Sequence, residues 1–291
     1  MQIVSLIARP GALDPAMVDS LRNAWGGGMA TWLAPDEAAE FPLEAAPGNL
    51  DEVRESLAAQ ADLNVIPAEG RRKKMLIADM DSTMIAQECI DELADEAGVG
   101  AHVKEITARA MNGELDFEGA LTERVALLKG LPESVIADVL AQRITLTPGG
   151  RELVATMRAA GGHALLVSGG FTAFSGEIAE RVGFDAHRAN TLLAEDGVLT
   201  GRVAHPILGR EAKIQALEET TARLGIDEAD VIAVGDGAND LGMLGRAGLG
   251  VALHAKPSVQ AQCQCRVNHG DLTALLYLQG YARDDFAPVA G

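Results

Sequence analysis

The sequence is short of positive charge: 24 Lys and Arg stand against 42 Asp and Glu, a formal net charge of −18 over 291 residues. Binding a nucleic-acid backbone draws its affinity from clustered cations that displace counterions, so this balance argues against a nucleic-acid partner. No acidic tail explains the excess, because residues 1–74 already hold 11 acidic and 7 basic side chains and the rest continues the trend. Long apolar runs are also missing. None reaches the ~20 residues that span a bilayer, and the N-terminus has no basic stretch followed by an apolar one, so no membrane partner and a cytoplasmic location are expected. Cysteine is scarce. Cys89, Cys263 and Cys265 form an odd set without disulfide spacing, which suits a reducing compartment, and Cys263 and Cys265 lack the partners of a zinc site.

What is present is ordinary for a globular protein: 48% hydrophobic and 23% charged residues exclude disorder as the main theme. At ~150 residues per domain the length suggests about two domains. Residues 1–70 alternate as strand Ile3–Ala8, helix Pro15–Ala24, strand Met29–Ala34, strand Ala38–Glu44, helix Leu50–Gln60 and strand Leu63–Pro67, with Asn49 as a helix N-cap. That βαββαβ order is that of a small ferredoxin-like α+β domain. Glu69-Gly70-Arg71-Arg72-Lys73-Lys74 breaks the pattern and reads as a solvated linker, placing a boundary between residues 1–70 and 71–291.

From Met75 onward, short apolar runs at Met75–Asp79, His163–Ser168, Val231–Asp236 and Leu249–Leu253 alternate with helical stretches, as in a parallel sheet covered on both faces. Ligands of such α/β sheets bind beyond the carboxyl ends of the strands, where Asp79, Ser168 and Asp236 converge. Some eighty residues separate the first two strands. They read as helices Gln87–Ala97, Val103–Met111, Phe117–Leu128 and Glu133–Ala141, an inserted helical cap at about 85–146. Thr191–Ala194 and Val198–Val203 flank an Asp196-Gly197 turn and predict a hairpin.

Asp79-Met80-Asp81-Ser82-Thr83 puts two carboxylates directly after a buried strand. Crowded carboxylates ask for a cation or for acid/base work; a helix N-cap is the plainer alternative. Gly235-Asp236-Gly237-Ala238-Asn239-Asp240 adds oxygen ligands at the same edge, suited to a hard cation such as Mg²⁺, with Asp240 supporting Asp236. Ser168-Gly169-Gly170 lets backbone approach an anion, although such a triplet is more often only a turn. Lys213 near a helix start reads equally as an anion ligand or an exposed lysine. Arg124 interrupts the apolar stripe Phe117, Leu121, Leu128, so it either snorkels or forks onto a carboxylate. Periodicity alone places Glu88 in solvent.

In this order and at these strand ends, Asp79-Met80-Asp81-Ser82-Thr83, Ser168-Gly169-Gly170, Lys213 and Gly235-Asp236-Gly237-Ala238-Asn239-Asp240 resemble the four motifs of the haloacid dehalogenase superfamily of phosphotransferases. Glu88, and Met111 to Phe117 ahead of Arg124, are similar to the phosphoserine phosphatase branch, and the likeness covers about residues 73–270. The resemblance implies a Rossmann-like core with a helical cap and an ACT-like N-terminal domain. It implies hydrolysis of O-phospho-L-serine to L-serine and inorganic phosphate, the last step of serine biosynthesis, with Asp79 as nucleophile and Asp81 as general acid/base. It implies Mg²⁺ held by Asp79, the backbone carbonyl of Asp81, and Asp236, and a phosphoryl group held by Ser168, Gly169, Lys213 and Asn239. Glu88 then receives the substrate ammonium and Arg124 its carboxylate, with Met111 and Phe117 shielding the site. A homodimer is left open. The rival readings are a relative acting on another phosphomonoester or acceptor alcohol, and a binding protein phosphorylated on Asp79 without turnover.

Overall fold

The computed structural model describes residues 1–111 and 114–289, and of Met111 the backbone alone. The first seventy residues form β1 (Gln2–Ile7), α1 (Pro15–Trp25), β2 (Thr31–Ala34), β3 (Ala38–Leu43), α2 (Leu50–Leu57) and β4 (Asp62–Pro67). The antiparallel sheet runs β2-β3-β1-β4, the ferredoxin-like arrangement. Asp14 caps α1 by accepting from the Ala16 N–H, and Pro15 opens it, because a proline lacks only a donor that the first turn leaves idle. Asn49 does not cap α2 as expected: its Oδ1 accepts from the Trp25 indole N–H at 3.1 Å instead.

The second sheet holds β5 (Met75–Ala78), β6 (His163–Phe171), β7 (Ala186–Asn190), β10 (Val231–Gly235), β11 (Leu249–Leu253) and β12 (Cys265–Val267) in the order β12-β11-β10-β5-β6-β7, every pairing parallel. Between β5 and β6 lie four helices, α3 (Cys89–Glu96), α4 (Gly100–Met111), α5 (Phe117–Ala126) and α6 (Val135–Gln142), followed by the crossover helix α7 (Gly150–Ala159). The chain enters and leaves the four-helix segment through a narrow neck, where Ile85 bridges Leu146 and the Ala86 N–H donates to Thr145 O at 3.1 Å. The helix α8 (Thr172–Val182) follows β6, and the predicted hairpin is β8 (Leu192–Glu195) with β9 (Val198–Val203). Its turn residues Asp196 and Gly197 have φ of 52° and 76°, which glycine and aspartate tolerate better than bulky side chains. The helix α9 (Arg210–Leu224) leads to β10, and α10 (Leu241–Arg246), α11 (Pro257–Gln260) and α12 (Ala274–Leu278) complete the chain.

Met75, Leu76, Ile77, Ala78 and Val231 to Val234 are buried throughout, as expected of strands covered on both faces. Of the basic run after the first sheet, expected to be a solvated linker, Arg72 and Lys74 are exposed and Arg71 is not. Arg71 is largely buried, pairs with Glu40 at 2.5 Å and donates to the Leu278 carbonyl, while Arg72 lies 4.1 Å over the Tyr281 ring. Asp62 continues the seam between the sheets by accepting the N–H groups of Asn268 and His269, both at 2.8 Å. These contacts hold the two sheets by charge-assisted bonds rather than by a loose tether.

Candidate active site

The strand order reverses at β5, since the chain moves to β6 on one side and later to β10 on the other. This switch point is where an open α/β sheet offers a crevice, and Asp79 follows β5 there as Asp236 follows β10. After Asp79 the backbone makes one wide turn over Met80–Met84, closed by the Ile85 N–H donating to Met80 O at 3.0 Å. Ser82 stands in it at φ 54°, an uncommon conformation for a residue with a Cβ and a mark of local strain beside the two carboxylates.

Lys213, one of the least exposed side chains, reaches Asp79 at 2.6 Å and Asp240 at 2.5 Å. The reading of Lys213 as an exposed lysine is thereby closed. Burial works against its charge, but Asp79 and then Asp240 hold the ammonium protonated above the ordinary lysine range. Burial, and next the Asp240 carboxylate, push the Asp79 carboxyl up, with Lys213 opposing them. Asp236 is pushed up to about 6 by burial and then Asp240, and accepts from the Thr83 hydroxyl at 3.3 Å. One carboxylate oxygen each from Asp79, Asp236 and Asp240 lies within 4.8 Å of the others. Three carboxylates facing one ammonium leave an excess of negative charge, and an all-oxygen donor set fits a hard divalent cation. Asp240 is more tightly enclosed than a purely peripheral support: its other oxygen accepts the Gly237 N–H at 2.9 Å.

Asp81 points across the crevice. Its carboxylate accepts from the Ser168 hydroxyl at 3.0 Å and from the Cys89 N–H at 2.8 Å, at the start of α3. It therefore does cap a helix, but one that begins eight residues further along, and the cap joins the core to the inserted helices. A Cβ on Gly170 would lie 2.6 Å from the Asp81 carboxylate, so this approach needs glycine.

Above the strand ends a cavity of about 480 Å³ is lined by Asp79, Asp81, Glu88, Phe117, Arg124, Gly169, Asp236 and Asn239 among others. Ser168 and Lys213 lie just beneath it through their bonds to Asp81 and Asp79. The Met111 side chain falls outside the described residues. Glu88 faces the cavity, accepts from the Ser82 hydroxyl at 2.8 Å and is pushed up to about 7, first by the protein around it and then by Asp81. Arg124 is half-buried, its Nε donating to Ala120 O at 3.2 Å, which leaves the guanidinium tip for the cavity. Sequence reasoning missed Asp91 and Lys256, which also line it. Asp91 lies three positions after Glu88, one helical turn on, and Lys256 lies three residues beyond the end of β11, in the loop on the carboxyl side of the sheet.

Carboxylates at two parallel-strand ends, a buried lysine bridging Asp79 and Asp240 and a roof of inserted helices define a parallel-sheet α/β protein whose acidic, cation-ready site is of the phosphoryl-transfer kind. The chain matches the family profile of haloacid dehalogenase-like hydrolases over residues 76–245. Phosphoserine phosphatase from Polaromonas sp. is 47% identical over 210 residues, 70% of this chain and 89% of that one. Phosphoserine phosphatase from Streptomyces coelicolor is 42% identical over 258 residues, 86% of this chain, which spans only 62% of that protein's length. The crystal structure of a HAD family hydrolase from Salmonella enterica serovar Typhi superposes with a TM-score of 0.87 at 32% identity, covering 98% of this chain and 99% of that one. The chain belongs to the haloacid dehalogenase-like hydrolases, within their phosphoserine phosphatase branch. Among the described residues no helix is long and apolar enough to cross a membrane.

Proposed function

We propose that the chain hydrolyses O-phospho-L-serine to L-serine and inorganic phosphate through a phosphoryl group carried on Asp79. The observation that carries this reading is the joint placement of the Asp79, Asp81 and Asp236 carboxylates with Glu88 and Arg124 around one cavity. Residues 71–291 act as the catalytic unit, residues 85–146 as its cap and residues 1–70 as an ACT-like accessory.

A carboxylate oxygen of Asp79 attacks phosphorus and the bond to the serine oxygen breaks. Asp81 delivers a proton to that oxygen, then takes one from the water that attacks the acyl phosphate, which frees Asp79 and releases phosphate. The Ser168 hydroxyl, the Gly169 N–H, Lys213 and Asn239 hold the phosphoryl oxygens, so that their charge is met before the reaction begins. Mg²⁺, when bound by Asp79, the Asp81 carbonyl and Asp236, supplies further charge neutralisation. Asp240 keeps Lys213 in place. Glu88 takes the substrate ammonium and Arg124 its carboxylate, while Met111 and Phe117 restrict water.

Two outcomes are expected. Adding EDTA should abolish phosphate release and excess Mg²⁺ should restore it; undiminished turnover in chelator removes the metal from the account. Arg124→Ala should raise the KM for O-phospho-L-serine by roughly tenfold to a hundredfold, the worth of a charge-assisted pair, and leave hydrolysis of p-nitrophenyl phosphate nearly unchanged. Equal effects on both esters would remove the carboxylate contact.

A further inference from the structure

Asn190 is 2% exposed, and every polar atom of its side chain is engaged with backbone. It is the last residue of β7, and the β6–β7 ladder is irregular just there. Pairing runs from Leu165↔Ala186 to Val167↔Arg188 and resumes only at Phe171↔Asn190, so Ser168, Gly169 and Gly170 bow out of the sheet opposite a single residue. A bowed segment loses its ladder bonds, and a buried carbonyl without a partner is costly. The Asn190 side chain fills that gap: its Nδ2 donates to Gly169 O at 2.8 Å.

The same amide holds a second segment. Nδ2 donates to Leu208 O at 3.1 Å and Oδ1 accepts the Leu208 N–H at 2.7 Å, so the side chain pairs with this peptide as a strand backbone would. Leu208 and Gly209 lead directly into α9, the helix that carries Lys213. One buried amide thus ties the Ser168–Gly170 bow to the entry of the lysine helix. The Phe117 ring rests on both: a Cβ added to Gly169 or Gly209 would come within 3.1 Å or 3.2 Å of it.

We infer that Asn190 is a positioning residue for the phosphoryl subsite, fixing the Ser168–Gly170 bow and the start of α9 at one separation so that the Gly169 N–H and Lys213 address the same phosphoryl group. The inference rests on the reading that these residues take that group. Asn190 makes no contact with substrate itself; it acts through Gly169 and Leu208. The Gly169 carbonyl shares its peptide with the Gly170 N–H, which donates to the Ser168 hydroxyl at 2.8 Å, so this peptide is held at both ends and with it the bow that presents the Gly169 N–H. A shift of about 1 Å in such a group is enough to cost on the order of a hundredfold in rate.

The test uses the Mg²⁺-supplemented full chain, p-nitrophenyl phosphate as ester and inorganic phosphate as inhibitor. Asn190→Asp replaces the donating NH₂ with a second oxygen at constant size. It is expected to lower kcat by about tenfold to a hundredfold and to raise the phosphate inhibition constant by at least about fivefold, in protein whose melting profile shows it folded. A loss of folded chains lowers apparent kcat and leaves the inhibition constant unmoved, and that result overturns the proposal. Should the buried carboxylate prevent folding, Asn190→Ser, which keeps one short hydroxyl, is expected to raise the inhibition constant to a lesser degree, and an unchanged constant there overturns it equally. A generic ester and free phosphate keep the test independent of the amino-acid part of the substrate. A wild-type chain that neither cleaves the ester nor binds phosphate defeats the phosphatase reading and this inference with it, whereas an active wild type with unaffected variants defeats the inference alone.

Discussion

Asp79→Asn is expected to lower kcat for O-phospho-L-serine by on the order of 10⁴- to 10⁶-fold, the range in which removal of a covalent nucleophile falls. The amide has the size and shape of the carboxylate and can still accept from Lys213 at the end of β5, so the fold has little reason to change. What it lacks is the nucleophilic oxygen. Steady-state phosphate release gives the rate, and a melting curve alongside shows that the loss is chemical. Activity within about tenfold of the wild type would remove Asp79 as the nucleophile and leave the strand-end carboxylates as a metal site alone.

Lys213→Met is expected to affect stability as well as rate. The ammonium sits between Asp79 and Asp240, both essentially out of contact with solvent, and its removal leaves them facing Asp236 with no protein cation between. Breaking a buried ion pair by removing one partner costs about 3–5 kcal/mol, because the remaining charge is neither solvated nor paired. Denaturant unfolding in EDTA should show a loss of that size, and Mg²⁺ should recover part of it by binding the folded form. A loss below about 1 kcal/mol would mean that the carboxylates simply protonate. The pH dependence follows from the direction of the lysine shift. The folded value lies above the unfolded one, so the contribution is complete below about pH 10 and disappears only as pH rises through the folded value.

The parts of this site that could be read in the sequence are those carried by local pattern. Asp79, Ser168 and Asp236 each lie at the end of a short continuous apolar run, and the alternation of such runs with helical stretches is the pattern of interior parallel strands. The four helices of the insertion were legible for a similar reason, since each has its own apolar face; the structure moves their ends by a few residues only. The edge strands were not. β7 reads Ala-His-Arg-Ala-Asn and β12 has only three residues, so neither carries a run long enough to stand out. With β7 unread, Asn190 had no context.

Lys213 illustrates a different limit. Its neighbours on α9 include Arg210, Glu211 and Gln215, which make that turn look solvated, and only the long-range pairing with Asp79 and Asp240 shows that it is buried. Arg71 behaved the same way, since a run of four basic residues reads as surface until Glu40 is brought against it. Glu88 looked like a solvent residue by helical period and does remain accessible, but the solvent it meets is that of the cavity. Charge placed by tertiary contact leaves no periodic signal. For Lys213 and Glu88, motif resemblance supplied what period and composition could not.

The acidic excess of the chain also takes on a local meaning. Asp79, Asp236 and Asp240 belong to a cluster that calls for a cation, and Arg124, Lys213 and Lys256 surround the same crevice with positive charge. The cavity lining is itself net acidic, with Asp79, Asp81, Glu88, Asp91 and Asp236 against Arg124 and Lys256. An anionic substrate is compatible with it where a divalent cation offsets the carboxylates and the cations stand close to the substrate's anionic groups.

The most direct test is the steady-state release of inorganic phosphate from O-phospho-L-serine in Mg²⁺, set beside O-phosphoethanolamine, which has the ammonium and phosphate but no carboxylate for Arg124. The account predicts a kcat/KM for O-phospho-L-serine at least about a hundredfold higher, roughly the worth of one charge-assisted fork in a desolvated pocket. Equal values for the two esters, or no phosphate released from O-phospho-L-serine, would contradict it.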